Sequence, residues 1–429
     1  MHTWEEMGVM LARILLPKSE YRNEKWSVVA CDQFTSEPAY WRAVEETVGE
    51  AKSTLHLILP EMYLEAPDVQ TRIDTIHQTM RSDWEASVFE AYEPGIVRVT
   101  RTVDGKTRKG IMVAVDLEAY DFSADSTSII RATEGTIVER IPPRLRIREK
   151  ADIELPHILV LLDDPHRTVI EPLFEREAKV VYDISLMQNG GRVKGEYLPE
   201  SELHDFQRAL SDLFDEKAKE ENPILFAVGD GNHSLATAKA HWENVKTSLS
   251  QSEQIDHPAR FALVEIENVH DEGIVFEPIH RVIFGADEQT LHDLEAILQE
   301  QNRGGGVRLL TKEESASFAG QCIACVEGEQ KRWIGIEVPA HQLTVGSLQK
   351  ALDALMDAKA ELSIDYIHGA DVVIQLAKEK GNVGFLLPTL AKSELFSSVQ
   401  KDGPLPRKTF SMGEANEKRY YMECRKITK

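Results

Sequence analysis

Positive charge is scarce in this chain. Its 429 residues hold 49 Lys and Arg against 72 Asp and Glu, a formal net charge of −23 at pH 7. Proteins that bind nucleic acid normally present a basic face, because phosphate neutralisation supplies most of the sequence-independent affinity. Nucleic acid is therefore not expected as a partner, and an anionic membrane surface is disfavoured on the same ground. Long apolar runs are missing as well: nothing approaches the roughly 18 consecutive apolar residues of a spanning helix. The first residues, through Trp26, carry acids where a signal peptide needs bases, and read as part of the fold. Four cysteines, Cys31, Cys322, Cys325 and Cys424, are too few for a disulfide framework and fit a reducing compartment. A cytoplasmic protein is expected.

Several chemical signatures are also missing. There is no HExxH or HxH spacing for zinc, no GxSxG elbow, no Walker sequence and no GxGxxG. Cys322-Ile-Ala-Cys325 has redox or half-zinc spacing but no second pair to complete four ligands, and its neighbours read as a buried strand.

What remains is an ordinary globular composition, 42% hydrophobic and 28% charged, in a chain long enough for two or three domains. Helices are expected over PAYWRAVEETVGEA, with Trp41, Val44 and Val48 inward, and over a second stripe of Val69, Ile73, Ile76, Met80 and Trp84. GIVRVTRTVDGKTRKGIMVAVDL reads as a hairpin turning at Asp104-Gly105. In the basic passage from Arg131 to Lys150, Pro142-Pro143 is expected to break any helix. HILVLLDDP reads as a buried strand, and a helix with Leu203, Phe206, Leu210, Leu213 and Phe214 precedes strand ILFAV. Beyond about residue 260, RFALVEIEN and IVFEPIHRVIFG look like paired strands. They are followed by a helix through Leu291, Leu294 and Leu298, a loop at Arg303-Gly304-Gly305-Gly306, a hairpin in CIACVEGEQKRWIGIEV, and alternating helix and strand. The expected class is mixed α/β, with lobes of 1–255 and 256–429 divided at the polar stretch near 246–258.

The richest local chemistry is Gly229-Asp230-Gly231-Asn232-His233-Ser234, between the ILFAV strand and a helix with Leu235, Ala238, Trp242 and Val245 inward. A strand–turn–helix unit leaves backbone amides at the helix start, where an anion is favoured. Gly229 and Gly231 would let a phosphate approach the backbone. Asp230 suits a magnesium ion or a base, and His233 a phosphate oxygen or a proton shuttle. The same residue types also make plain turns and caps without any ligand.

The chain resembles the family known as domain of unknown function 1015. The landmarks run in order: VVACDQF, Arg131-Ala-Thr-Glu134-Gly-Thr136, VGDGNHSLATA, Pro278-Ile279-His280-Arg281, IDYIHG with VGFLLPTL, and LPRKTF. The central motif is similar to the loop of the ParB/sulfiredoxin group, whose members include free-serine kinases and CTP-hydrolysing partition proteins. That resemblance implies a ParB/sulfiredoxin-like central region that binds nucleotide phosphates, with Gly231 and His233 on the motif glycine and histidine. Ser234 stands where the motif has arginine, and Thr133 where the family has histidine, so a bidentate phosphate clamp is lost.

Charge for a polyphosphate then has to come from elsewhere. His280-Arg281, Arg407-Lys408 and Arg131 with Glu134 are candidate substrate contacts; each also reads as a salt-bridged or solvated group. Asp32 is a candidate base or magnesium ligand, otherwise a turn residue. Asp163-Asp164 and His368 have the plainer reading of strand-end residues. The function expected is a nucleotide-dependent phosphotransferase for a small hydroxylated, serine-like metabolite. Asp32, Asp230 and His233 are its catalytic candidates, Gly229, Gly231, Asn232 and Ser234 hold the nucleoside di- or triphosphate, and Asp230 holds Mg2+. A phosphatase and a non-catalytic nucleotide switch are the alternatives.

Overall fold

The computed structural model describes residues 1–302 and 306–429; the Arg303-Gly304-Gly305 part of the expected loop lies outside them. The chain divides into two compact units, Met1–Val275 with Gly413–Lys429, and Phe276–Met412. This division differs from the one at 255/256. Strand Phe261–Asn268 pairs with both Lys106–Asp116 and Leu159–Leu162, which holds it in the first unit. The polar stretch before it is the end of a helix followed by the short helix Gln251–Gln254, capped by Ser250 and Glu253.

The first unit is built on a ten-stranded mixed sheet. The hairpin Gly95–Val103 and Lys106–Asp116 turns at Asp104-Gly105, both at positive φ (49° and 76°), as a two-residue turn between twisted strands requires. Leu159–Leu162 lies between Phe261–Asn268, to which it is parallel, and Phe226–Asp230, to which it is antiparallel. Helix α1 (Pro38–Val48) buries Trp41, Val44 and Val48, and α2 (Val69–Glu85) buries Ile73, Ile76 and Met80. Each such side chain contributes about 1.5–3 kcal/mol relative to exposure. Trp84, expected on the α2 stripe, is 48% exposed.

Pro142-Pro143 does not break a helix but starts one, α3 (Ile141–Arg148). In the first helical turn proline's missing N–H has no intrahelical acceptor to lose, and its φ is already helical. Helix α4 (His204–Lys217) leads into strand Phe226–Asp230, and α5 (Asn232–Lys246) follows at once. The C-terminal segment returns to this unit. Tyr420 bridges Val29, Cys424 bridges Leu15, and Arg425–Lys426 pairs with Ile153–Glu154.

The second unit carries a seven-stranded sheet. Phe276–Phe284 pairs with Ser363–His368, Asn382–Leu386 and Phe410–Met412, and not with Phe261–Asn268 as its sequence position suggested. The hairpin Gln321–Glu327 with Gln330–Ile336 is as expected. Its two cysteines are free, Cys325 buried and Cys322 partly so. Among the described residues no helix is long and apolar enough to cross a membrane.

Candidate functional site

The Gly-rich turn forms as expected, and each glycine has a backbone reason. Between Val228 and Asp230 the register against Val160 and Leu159 shifts, so Gly229 is a bulge that re-aims Asp230. Gly231 sits at φ 79°, and a Cβ there would stand 3.1 Å from the Ile158 Cα. The positive φ and the close approach call for glycine at 231. Two of the amides expected to cradle a phosphate are already used: Gly231 N–H donates to Asp230 Oδ1 (3.0 Å) and Ser234 N–H to the Gly231 carbonyl (3.0 Å).

Asp230 Oδ2 lies 3.1 Å from the Lys418 ammonium, brought back by the C-terminal segment. That charge, with His157 nearby and the Gly231 amide, outweighs burial and holds the carboxyl below its usual range. The position expected to hold Mg2+ therefore faces a fixed ammonium. Among the described residues no group of three or more His, Cys, Asp or Glu side chains could hold a metal. Asp230 does not fit a metal-ligand role in this arrangement.

The other turn residues brace the neighbouring segment. Asn232 Oδ1 accepts from Thr133 N–H (3.3 Å), and His233 Nε2 accepts from Ile137 N–H (3.3 Å). Ser234 points the other way. Its Oγ lies 2.9 Å from His157 Nε2, whose Nδ1 lies 2.8 Å from the Tyr421 hydroxyl, which in turn accepts from Cys31 N–H at 3.1 Å. His157 and Tyr421 are buried, and burial pushes the Tyr421 phenol and Cys31 thiol well above their ordinary ranges. Asp32, next to Cys31, adds a negative field at both groups and accepts from Gln33 Nε2 (3.0 Å).

This line of hydrogen bonds forms one end of a cavity of about 140 Å³. The rest of its wall is chiefly apolar, including Leu59, Met80, Ile153, Ile158 and Leu263. Charged groups in the wall are paired: Arg144 forks onto Glu61 (Nε–Oε1 2.7 Å), and Glu154 takes Arg148 (2.6 Å) and Arg425 (2.7 Å).

Of the predicted residues in the first unit, Ser234 lines the cavity, while Asp32 follows the lining residue Cys31 and Asp230 feels the charge of the lining residue His157. Arg131 lies apart from the cavity lining, with Nε donating to the Ser128 carbonyl and Nη2 to Asn222 Oδ1 and the Pro223 carbonyl, where it pins a loop. Glu134 is half-buried in the segment after it. Asp163 is paired with Lys217 and His270, and Asp164 caps Thr168 and Val169. In the second unit Arg281 is fully buried. Its guanidinium serves Gln349 Oε1 (3.0 Å) and the Ile279, Arg407 and Lys408 carbonyls, so it holds the 406–409 turn rather than facing outward. His280 Nδ1 accepts from Leu387 N–H (3.1 Å), and burial lowers its pKa. Arg407 and Lys408 are exposed.

Sequence reasoning missed His157, Tyr421 and Lys418. The one available signal was His157 itself, a polar residue opening an apolar strand; Lys418 and Tyr421 sit in a tail with no motif around them.

No curated protein matches the chain at significant similarity. Among solved structures, a free serine kinase mutant in complex with ADP shares 11% identity at a TM-score of 0.40, covering 74% of this chain and 92% of its own. A conserved hypothetical protein from Pyrococcus furiosus gives 14%, 0.36, 72% and 90%. C-terminally truncated SbnI from Staphylococcus aureus gives 12%, 0.37, 70% and 82%. Likeness at this level carries no inference about activity. The family model described as "Protein of unknown function (DUF1015)" matches residues 15–355, most of the chain, and the chain belongs to that family.

Proposed function

We propose that the first unit is a nucleotide-dependent phosphotransferase acting on a small hydroxylated compound. The observation that carries this reading is the meeting of three distant segments around one cavity: Cys31 beside Asp32, Ser234 at the start of α5, and Tyr421 of the returning tail. Phosphoryl transfer depends mainly on positioning and electrostatics, which a rigid turn with a small set of charged groups can supply. In this reading the start of α5 and Lys418 take the phosphates, Lys418 keeping Asp230 as its partner and directing its remaining N–H donors at the incoming anion. Asp32 accepts the proton of the acceptor hydroxyl, which is held between it and Ser234. No step is assigned to a protein-bound metal, because Asp230 is already paired.

The test is a thermal-shift panel of AMP, ADP, ATP and CTP, followed by turnover assays on the nucleotides that bind. Asp32→Asn is expected to lower kcat by about 100-fold or more, since a positioned proton acceptor contributes at least that much, with nucleotide affinity changed little. Lys418→Met is expected to weaken nucleotide binding. Failure of every nucleotide to raise the melting temperature would end this reading. Nucleotide binding without turnover would leave the switch, and phosphate release without nucleotide the phosphatase.

A further inference from the structure

The cavity beside Ser234 has a chemistry of its own. At about 140 Å³ it is close to the roughly 150 Å³ apolar cavity that accommodates a benzene ring in another protein. Its aliphatic walls are buried: Leu59, Met80, Ile153 and Leu263 are each less than 5% exposed. A polar or strongly hydrated ligand body would lose its hydration there without recovering hydrogen bonds.

Charge is not wanted either. The arginines in the wall are already matched, Arg144 by Glu61 and Arg148 by Glu154, which Arg425 also holds. A charged ligand would have to break one of these pairs and leave a half-buried ion behind.

One polar group is wanted, at the Ser234 end. Among the described residues Ser234 Oγ has one protein partner, His157 Nε2. If Tyr421 donates to His157 Nδ1, then Nε2–H donates to Ser234 and the serine O–H is left to donate outward. If instead Nδ1 carries the proton, the serine donates to Nε2 and its lone pairs are left to accept. Both tautomers leave the serine hydroxyl at least one free lone pair, and the first leaves its O–H free as well. A hydroxyl meets either case, since it donates and accepts; a carbonyl meets only the first, and an ammonium, which could donate in both, is disfavoured by the apolar walls.

We propose that this cavity binds a neutral compound with a compact apolar body, an aryl ring or branched alkyl group of about six to eight heavy atoms, and one hydroxyl hydrogen-bonded to Ser234. The assignment rests on the phosphotransferase reading only in making this compound the acceptor; the binding itself does not require it. It sets the ligand apart from serine, whose body is charged at both ends.

Calorimetric or ligand-observed NMR titrations of the full chain with benzyl alcohol, toluene and L-serine test the proposal, with no nucleotide present. Benzyl alcohol is expected to bind at least tenfold tighter than toluene, and serine not to displace it. Ser234→Ala is expected to bring benzyl alcohol down to the level of toluene. Ala151→Leu, which extends a small wall residue into the space, is expected to weaken both at least tenfold. The proposal is overturned if neither probe binds, if toluene matches benzyl alcohol in the wild type, if serine displaces it, or if binding survives Ala151→Leu unchanged. Should Ala151→Leu fail to fold, the wild-type and Ser234→Ala comparison decides alone. Nucleotide binding is read separately: its absence would sink phosphoryl transfer and leave the ligand class standing, and the converse result would do the reverse.

Discussion

Lys418 holds its ammonium 3.1 Å from the Asp230 carboxylate, joining the returning C-terminal segment to the Gly-rich turn. The pair is mostly shielded, with side-chain exposures of 9% and 24%. Lys418→Met leaves Asp230 without its cation and is expected to cost about 1–3 kcal/mol of stability, the range for a buried group stripped of its partner. The sign with pH follows from the depressed carboxyl. Its contribution is full above the ordinary carboxylate range and is lost as pH falls through the lower, folded value. Urea denaturation near neutral pH and again near pH 3 should therefore show the variant's deficit shrinking in acid. An equal deficit at both would mean that Lys418 acts through packing alone.

Arg281 supports a second prediction. It is 0% exposed, lies over the Tyr366 ring at 5.0 Å, and hydrogen-bonds the Gln349 side chain and the carbonyls of Ile279, Arg407 and Lys408. Arg281→Met removes donors from several buried acceptors and is expected to cost about 3 kcal/mol or more. Arg281→Lys should recover little, since one ammonium cannot reproduce the planar fork. A residue poised for a phosphate would behave differently, losing ligand affinity while keeping the melting temperature; that result would refute the structural role.

These two residues show where the sequence is legible. The strand, turn and helix around Gly231 are written locally, in a short apolar run, a glycine that a positive φ requires, and a 3.6-residue stripe, so they could be read directly. Asp32 and Ser234 could be nominated by residue type and position. Lys418 and Tyr421 could not, because their roles depend on a chain return that no nearby pattern announces. Arg281 is opaque for a related reason: a strand arginine in an acidic protein reads equally as an ion pair or an anion contact, and nothing in one sequence reveals that carbonyls from a later turn will fill its fork. Pro142-Pro143 was a simpler error of position, since the same residues stop a helix from within and start one at its first turn.

A last prediction concerns the buried acids of strand Phe261–Asn268. Glu265 and Glu267 point to the same face and are 1% and 0% exposed. Arg108 Nε lies 2.7 Å from Glu267 Oε1, but too poorly aligned to count as a hydrogen bond. Burial, outweighing Arg108 and reinforced by Glu265 and Asp271, raises the Glu267 carboxyl well above its usual range. The folded protein then keeps a proton that the unfolded chain releases near its ordinary value of 4.5. Between that pH and the point where the folded group ionises, the folded state binds more protons, so this group's contribution to stability falls as pH rises. Glu267→Gln keeps the shape and removes the titration. Denaturation at about pH 5 and about pH 8 should show the variant gaining on the wild type as pH increases. Parallel stability profiles would mean that Arg108 keeps Glu267 ionised throughout, and that the strand buries a complete ion pair rather than a protonated acid.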